Sequence, residues 1–127
     1  MDKYDIIIAE DDPVLRELYL RKFDKKHFNV RTAADGQEAL NLIAASPPQV
    51  LLLDINMPVK DGIDVLKSLP KEQRSFSVII LTNHEEQIMK DQMNDLGVDG
   101  YFVKKDMTLQ SLLEMADGLL NKSVAAA

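Results

Sequence analysis

The sequence contains no cysteine, only two histidines and no long apolar run. The lack of cysteine excludes disulfides, thiolate metal ligands and a cysteine nucleophile, and it fits a reducing compartment. A zinc site would also be short of its usual histidine and cysteine ligands. The apolar run at residues 6–9 is too short for a signal peptide, or for a membrane span of about 20 residues. We therefore expect a soluble, cytoplasmic protein without membrane insertion.

Positive charge is also scarce. Lysine and arginine total 15 against 21 acidic residues, a net charge of -6, and the pI is near 4.8. This balance argues against direct nucleic-acid binding and favours cations or basic partners. The 127 residues fit one domain. We expect that domain to span residues 1–121, with 122–127 as a tail of the kind left by expression, and no DNA-binding or enzymatic output domain after it.

Short apolar runs alternate with segments of helical spacing. Four runs read as strands buried on both faces, at residues 6–9, 50–53, 78–81 and 101–103. Residues 28–32 alternate in polarity, which is typical of an edge strand. Five such β/α units predict a doubly wound (βα)5 sandwich of three layers, with a parallel sheet in the flavodoxin-like order 2-1-3-4-5.

Local signals bound the predicted helices. The residues expected to start or end them are Asp12, Pro13, Asp35, Gly62, Pro70 and Gly97. The apolar face of the first helix is expected at Val14, Leu15, Leu18, Tyr19 and Phe23. That of the fourth is expected at Ile88, Met89, Met93 and Leu96. Leucines between 109 and 120 give the last helix the clearest periodicity.

Polar residues follow the predicted strands where the strands end. They are Glu10, Asp11 and Asp12 after the first strand, Asp54 after the third, Thr82 at the end of the fourth and Lys104 after the fifth. A single acidic residue in such a place is ordinarily a solvated loop residue or a helix cap. Because the carboxyl ends of parallel strands meet at one edge of the sheet, the joint pattern predicts a site there.

Three carboxylates gathered at this edge would need a cation. At about 5 Å they repel by roughly 3 kcal/mol per pair at an effective dielectric of 20. Mg2+ is the usual partner of a few carboxylates, with water and phosphate oxygens completing its shell. Glu10, Asp11 and Asp54 carry three negative charges, which Mg2+ and Lys104 would balance. The result is a neutral site able to receive a phosphoryl group.

From Tyr4 to about Leu120 the sequence closely resembles the receiver domain of two-component response regulators, as in chemotaxis-type single receivers. The motifs that carry the resemblance are IIIAEDDP, LLLDINMPVKDG, ILTN and GYFVK, in that order. The resemblance implies a phosphorelay signalling domain. It would take its phosphoryl group from a sensor histidine kinase or phosphotransfer protein and turn over only its own phosphate, without being an enzyme.

The resemblance also implies roles for individual residues. Asp54 would be the phosphoacceptor, Asp11 a direct metal ligand, Glu10 a ligand mainly through water, and Asn56 a ligand through its backbone carbonyl. Thr82 and Lys104 would contact the phosphoryl oxygens, and Tyr101 would turn inward behind Thr82. The surface formed by the fourth helix, fifth strand and fifth helix would then bind a downstream protein or a second copy.

Two positions depart from the receiver pattern. Asn83 stands where a small residue is usual, and Lys105 where a proline is usual. Asn83 would either narrow access to Asp54 or cap the fourth helix. Without proline, the loop after Lys104 is expected to run differently. His84 is by default solvated, but it and the Asn56 amide could influence a water that attacks the phosphoryl group.

Three other functions fit parts of the pattern. A degenerate receiver would be a phosphorylation-independent interaction module, as Asn83 and Lys105 suggest, but the complete acidic, threonine and lysine set argues against it. A phosphatase with an aspartate nucleophile would carry Asp-x-Asp after the first strand, which this sequence lacks. A flavodoxin-type nucleotide binder would need a glycine-rich phosphate loop after a strand, and none is present.

Overall fold

The computed structural model describes residues 4–24, 26, 28–83, 91–92 and 94–126, with side chains up to residue 120. Its sheet has five parallel strands: β1 (Tyr4–Ala9), β2 (Phe28–Ala33), β3 (Val50–Asp54), β4 (Ser77–Thr82) and β5 (Gly100–Val103). Their order is β2-β1-β3-β4-β5. This confirms the predicted flavodoxin-like order, with β2 at an edge.

Among the described residues, α1 (Pro13–Asp24), α2 (Gly36–Ala45) and α3 (Gly62–Ser68) connect strands, and a C-terminal helix (Leu109–Ala126) follows β5. Short 3-10 turns lie at Lys71–Gln73 and Lys104–Asp106. Residues 122–126, predicted as a tail, continue the C-terminal helix.

Most of the predicted fourth helix, including His84, Ile88, Met89 and Met93, lies outside the described residues. Its last residues are helical, and Gly97 follows them with a left-handed φ of 77°, as expected of a residue that ends a helix.

Alternate strand residues face opposite layers of helices. Ile7, Leu51, Leu53 and Ile80 pack with α2 and α3. Ile6, Ile8, Leu52 and Ile79 pack with α1 and the C-terminal helix. The central strands β1, β3 and β4 are therefore buried on both faces, as a covered parallel sheet requires. The prediction was wrong for β5, whose residues are all only partly buried because this strand lies at the edge of the sheet. Because these two apolar clusters cover both faces of the sheet, polar side chains can gather at its ends.

The first helix is capped as predicted, but its buried face is narrower. Asp12 Oδ1 accepts hydrogen bonds from the backbone N–H groups of Val14 at 2.9 Å and Leu15 at 3.3 Å. Tyr19 and Phe23 are buried, whereas Val14 is 68% and Leu18 45% exposed. Helical spacing alone does not separate the side chains that face the sheet from those at the edge of the apolar stripe.

Gly62 starts α3, as predicted, and is also required for close packing. It is the first residue of α3, and Asp61 caps that helix in a capping box with Asp64. A Cβ at Gly62 would lie 2.8 Å from the Asp54 carbonyl oxygen and 2.9 Å from the Ile55 Cα. The missing side chain therefore lets α3 begin directly beside the end of β3.

Candidate functional site

The acidic loop after β1 begins with a fully buried carboxylate. Glu10 is 0% exposed, and its backbone N–H donates to the carbonyl oxygen of Ala33 at 3.0 Å. Glu10 Oε2 accepts a hydrogen bond from the backbone N–H of Asp12 at 3.2 Å. The next side chain, that of Asp11, is exposed. Two successive residues of this loop thus supply a buried carboxylate, that of Glu10, and a solvent-exposed one, that of Asp11.

Asp54 is the last residue of β3 and is held by two hydrogen bonds. It is 1% exposed. Its Oδ1 accepts from the backbone N–H of Asn56 at 3.1 Å, and its Oδ2 accepts from Lys104 Nζ at 3.0 Å. The carboxylate is therefore fixed in direction at the edge of the sheet.

Lys104 bridges the two buried carboxylates. Its Nζ lies 2.6 Å from Glu10 Oε1 and 3.0 Å from Asp54 Oδ2. The 3-10 turn of Lys104–Asp106 follows β5 directly, and no peptide bond in the described part of the chain is cis. The replacement of proline by Lys105 therefore leaves Lys104 directed at the acidic residues.

This arrangement raises the pKa of Glu10 and the pKa of Lys104. Burial raises the pKa of Glu10, and the neighbouring Asp54 raises it further, against the opposing effect of Lys104. Burial by itself would lower the pKa of Lys104. Its hydrogen bonds to Glu10 and Asp54 outweigh that effect, so its pKa is raised. The lysine therefore carries its charge throughout the neutral range.

The predicted carboxylate cluster forms. Oxygen atoms of Glu10, Asp11 and Asp54 all lie within 4.8 Å of one another. They border an open depression of about 400 Å³ that is also lined by Asp12, Leu15, Asn56, Asn83 and Lys104. All three candidate metal ligands are carboxylate oxygens, and the Asp11 carboxylate is accessible to solvent. This set fits Mg2+, which prefers oxygen ligands and retains several waters.

Two further predicted residues lie on neighbouring strands. Thr82, 1% exposed, ends β4 beside Val103, the residue that precedes Lys104. Tyr101 on β5 is partly buried against the cluster on the α2 and α3 face of the sheet. Asn83 lines the depression, whereas His84 lies outside the described residues. The structure thus brings the acidic residues, Asn56, Asn83 and Lys104 together, with Thr82 at the adjoining strand end.

Two arginines were missed in the sequence. Arg16 on α1 donates to the carbonyl oxygens of Glu10 and Asp11. Arg74 donates to three carbonyls, those of Leu69, Leu96 and Gly97. Both bind backbone atoms of other segments, and no residue pattern encodes such contacts. The sequence places Arg16 one turn after the acidic loop, but this position does not show which atoms its side chain contacts.

The fold and the site together define an open α/β domain whose parallel sheet carries three carboxylates and a lysine at its carboxyl edge. Residues 6–117 match the response regulator receiver domain family, and the chain belongs to this family, the receiver module of two-component systems.

Related proteins agree with this assignment. The response regulator MprA of Mycolicibacterium vanbaalenii is 31% identical over 118 residues, which cover 93% of this chain and 51% of MprA. The alkaline phosphatase synthesis transcriptional regulatory protein PhoP of Bacillus subtilis is 31% identical over 99 residues, 78% of this chain and 41% of PhoP. The chain spans about half the length of the curated relatives it matches.

Solved structures show the same fold. The receiver domain of Francisella response regulator 1452 superposes with a TM-score of 0.89 at 29% identity, covering 95% of this chain and 99% of that one. The receiver domain of the response regulator NarL of Mycobacterium tuberculosis gives a TM-score of 0.80 at 31% identity, covering 93% of this chain and 99% of that one.

In the described part of this chain, no helix has the length and apolar character to cross a membrane.

Proposed function

We propose that this receiver domain accepts a phosphoryl group on Asp54 from a phosphohistidine of a histidine kinase or phosphotransfer protein. A carboxylate oxygen of Asp54 would form a bond to phosphorus while the phosphorus–nitrogen bond of the donor breaks. The histidine leaves with its electron pair, and the product is an acyl phosphate. Asp54 suits this role because it is buried and already fixed by Asn56 and Lys104.

The observation that carries the proposal is the bridging position of Lys104 between Glu10 and Asp54. Its charge offsets two carboxylates that would otherwise repel an incoming phosphate. Once Asp54 is phosphorylated, the ammonium can stay in place and pair with a phosphoryl oxygen. Lys104 therefore stabilises the acidic site before transfer and the added charge after it.

Glu10, Asp11, Asp54 and the backbone carbonyl of Asn56 would hold Mg2+. When bound, the ion would neutralise phosphate oxygens and align them for in-line attack. The exposed carboxylate of Asp11 is the ligand most accessible from solvent. The remaining ligands would be water and the donor's phosphate oxygens.

The response to phosphorylation would begin at Thr82. Its hydroxyl would donate to a phosphoryl oxygen, drawing the end of β4 inward, and Tyr101 would move into the space behind it. This couples the charge on Asp54 to the surface formed by the fourth helix, β5 and the C-terminal helix. That surface would bind a downstream protein or a second copy. Asn56, Asn83 and His84 would tune the lifetime of the acyl phosphate.

Mass measurement after incubation with Mg2+ and acetyl phosphate tests the proposal. We expect a gain of one phosphoryl group in the unaltered protein, no gain in Asp54→Asn, and no gain in EDTA. Asp64→Asn, in the α3 cap, serves as the matched control and should behave as the unaltered protein. An unaltered protein that gains no mass would favour a phosphorylation-independent interaction module. Turnover of an aryl phosphate beyond one equivalent would favour a phosphatase.

A further inference from the structure

Arg16 reaches from α1 back to the acidic loop. Its Nη1 donates to the carbonyl oxygen of Glu10 at 2.9 Å and, over a longer 3.4 Å, to that of Asp11. The backbone N–H of Arg16 also donates to the Asp12 carbonyl at 2.9 Å in the first turn of the helix. One residue therefore contacts three successive carbonyls of the loop that carries two members of the carboxylate cluster.

Asp11 is the member of the cluster that depends most on this loop. The side chain of Glu10 is held by Lys104 and by the Asp12 N–H, and that of Asp54 by Lys104 and Asn56. Among the described contacts, none holds the carboxylate of Asp11, which is exposed. Its direction is therefore set by its backbone, and Arg16 holds the carbonyl groups on both sides of the Asp11 Cα.

The charge of Arg16 gives a second argument. Within the described residues Arg16 forms no ion pair with a carboxylate. Its guanidinium donates hydrogen bonds to carbonyl oxygens instead. A guanidinium near a cation site repels the cation, so charge alone would make Arg16 unfavourable there. Both hydrogen bonds come from Nη1, which the rigid guanidinium plane holds between the two carbonyls, whereas the shorter, flexible lysine stem does not pre-organise its ammonium there. The contact is therefore suited to holding geometry and not to supplying charge.

We propose that Arg16 is a positioning residue, which fixes the backbone at residues 10–11 and thereby directs the Asp11 carboxylate toward bound Mg2+. This inference rests on the proposed function, because it concerns the same metal site. It adds a residue on α1 to a site otherwise formed by the strand ends. Loss of a contact that orients a metal ligand typically weakens metal affinity by about 10- to 100-fold.

Mg2+ titration of Arg16→Lys separates positioning from charge. This variant keeps the charge and loses the rigid guanidinium plane, so we expect its Mg2+ dissociation constant to rise about tenfold. Arg16→Gln should also bind Mg2+ more weakly. If only charge mattered, Arg16→Lys would be unchanged and Arg16→Gln would bind more tightly, and either result would overturn the proposal. Arg21→Lys is the matched control, because Arg21 pairs with Glu17 on the same helix at 2.9 Å.

A second readout needs neither phosphorylation nor metal. In metal-free protein, Arg16→Lys should speed hydrogen exchange at the amides of residues 11–12 while Arg21→Lys leaves it unchanged. Unchanged exchange in both variants would contradict the proposal. If the unaltered protein binds no Mg2+, the proposed function fails at that step. If it binds Mg2+ and Arg16→Lys binds equally well, only the role of Arg16 fails.

A measurement on the unaltered protein covers the case in which the variants do not fold. A guanidinium held on two carbonyls gives separate, slowly exchanging Nη resonances in nuclear magnetic resonance spectra, and these should shift on addition of Mg2+. The resonances of Arg21 should not shift. A single averaged Arg16 signal that ignores Mg2+ would overturn the proposal.

Discussion

Replacing Lys104 by methionine removes the cation between two buried carboxylates. Glu10 and Asp54 are 0% and 1% exposed, and Lys104 Nζ contacts them at 2.6 and 3.0 Å. Removal of one partner from a buried pair typically costs 3 to 5 kcal/mol, because it leaves an uncompensated charge. The lysine side chain is 14% exposed, so water can enter and the lower end applies. We expect Lys104→Met to lose about 3 kcal/mol of unfolding free energy at pH 7 without metal.

Urea unfolding in EDTA measures this loss, with Lys67→Met as the control. Lys67 is an exposed lysine on α3, and its replacement should change stability by less than about 0.5 kcal/mol. The cost of Lys104→Met should shrink as the pH falls, because the raised pKa of Glu10 lets this carboxylate take up a proton more readily than usual. Added Mg2+ should stabilise Lys104→Met more than the unaltered protein. If Lys104→Met in EDTA matches the unaltered protein within about 0.5 kcal/mol, the electrostatic reasoning is refuted.

Three further predictions concern pH, the glycines and Arg74. Because the pKa of Glu10 is raised above 4.5 in the folded protein, the stability from its proton is fully present below pH 4.5 and is lost as pH rises through the folded value. Glu10→Gln should flatten that decline in urea unfolding of metal-free protein, and an unchanged slope would contradict the shift. Gly62→Ala should cost about 2 kcal/mol, since its Cβ would meet backbone atoms at 2.8 and 2.9 Å. A Cβ at Gly118 would have no atom within 4 Å, so Gly118→Ala should raise the free energy of unfolding by about 1 kcal/mol. If thermal unfolding shows the same change in stability for Gly62→Ala and Gly118→Ala, the packing argument is refuted. Arg74→Met should cost about 2 kcal/mol and speed hydrogen exchange at residues 96–99, because it leaves the Leu69, Leu96 and Gly97 carbonyls without their donor. Hydrogen-exchange rates at residues 96–99 that stay unchanged in Arg74→Met would show that the Arg74 hydrogen bonds are dispensable.

The sheet and the strand-end residues were predictable because both follow from local patterns. Continuous apolar runs at β1, β3 and β4 indicated strands covered on both faces, and parallel strands bring their carboxyl ends to one edge. That geometry alone brings Glu10, Asp11, Asp54 and Lys104 together. The sequence also indicated Asp12 as a cap, since its oxygen binds N–H groups only two and three residues away.

Contacts between distant segments were not predictable. The exposure of Val14 and Leu18 depends on how α1 is rotated against the sheet, and helical spacing does not set that rotation to within one residue. Arg74 binds carbonyls as far away as Gly97 through a long side chain with many rotamers. The bridging of Glu10 and Asp54 by Lys104 was also missed, because charge counting placed the lysine at the site without assigning it two partners.

Borohydride trapping of the phosphorylated protein tests the central claim most directly. Borohydride reduces an acyl phosphate of aspartate to homoserine, and peptide sequencing then locates the modified residue. After incubation with Mg2+ and acetyl phosphate, our account predicts homoserine at position 54 and nowhere else, and none when EDTA is present. Homoserine at position 11, or its absence from position 54 in a protein that has gained a phosphoryl group, would contradict the account.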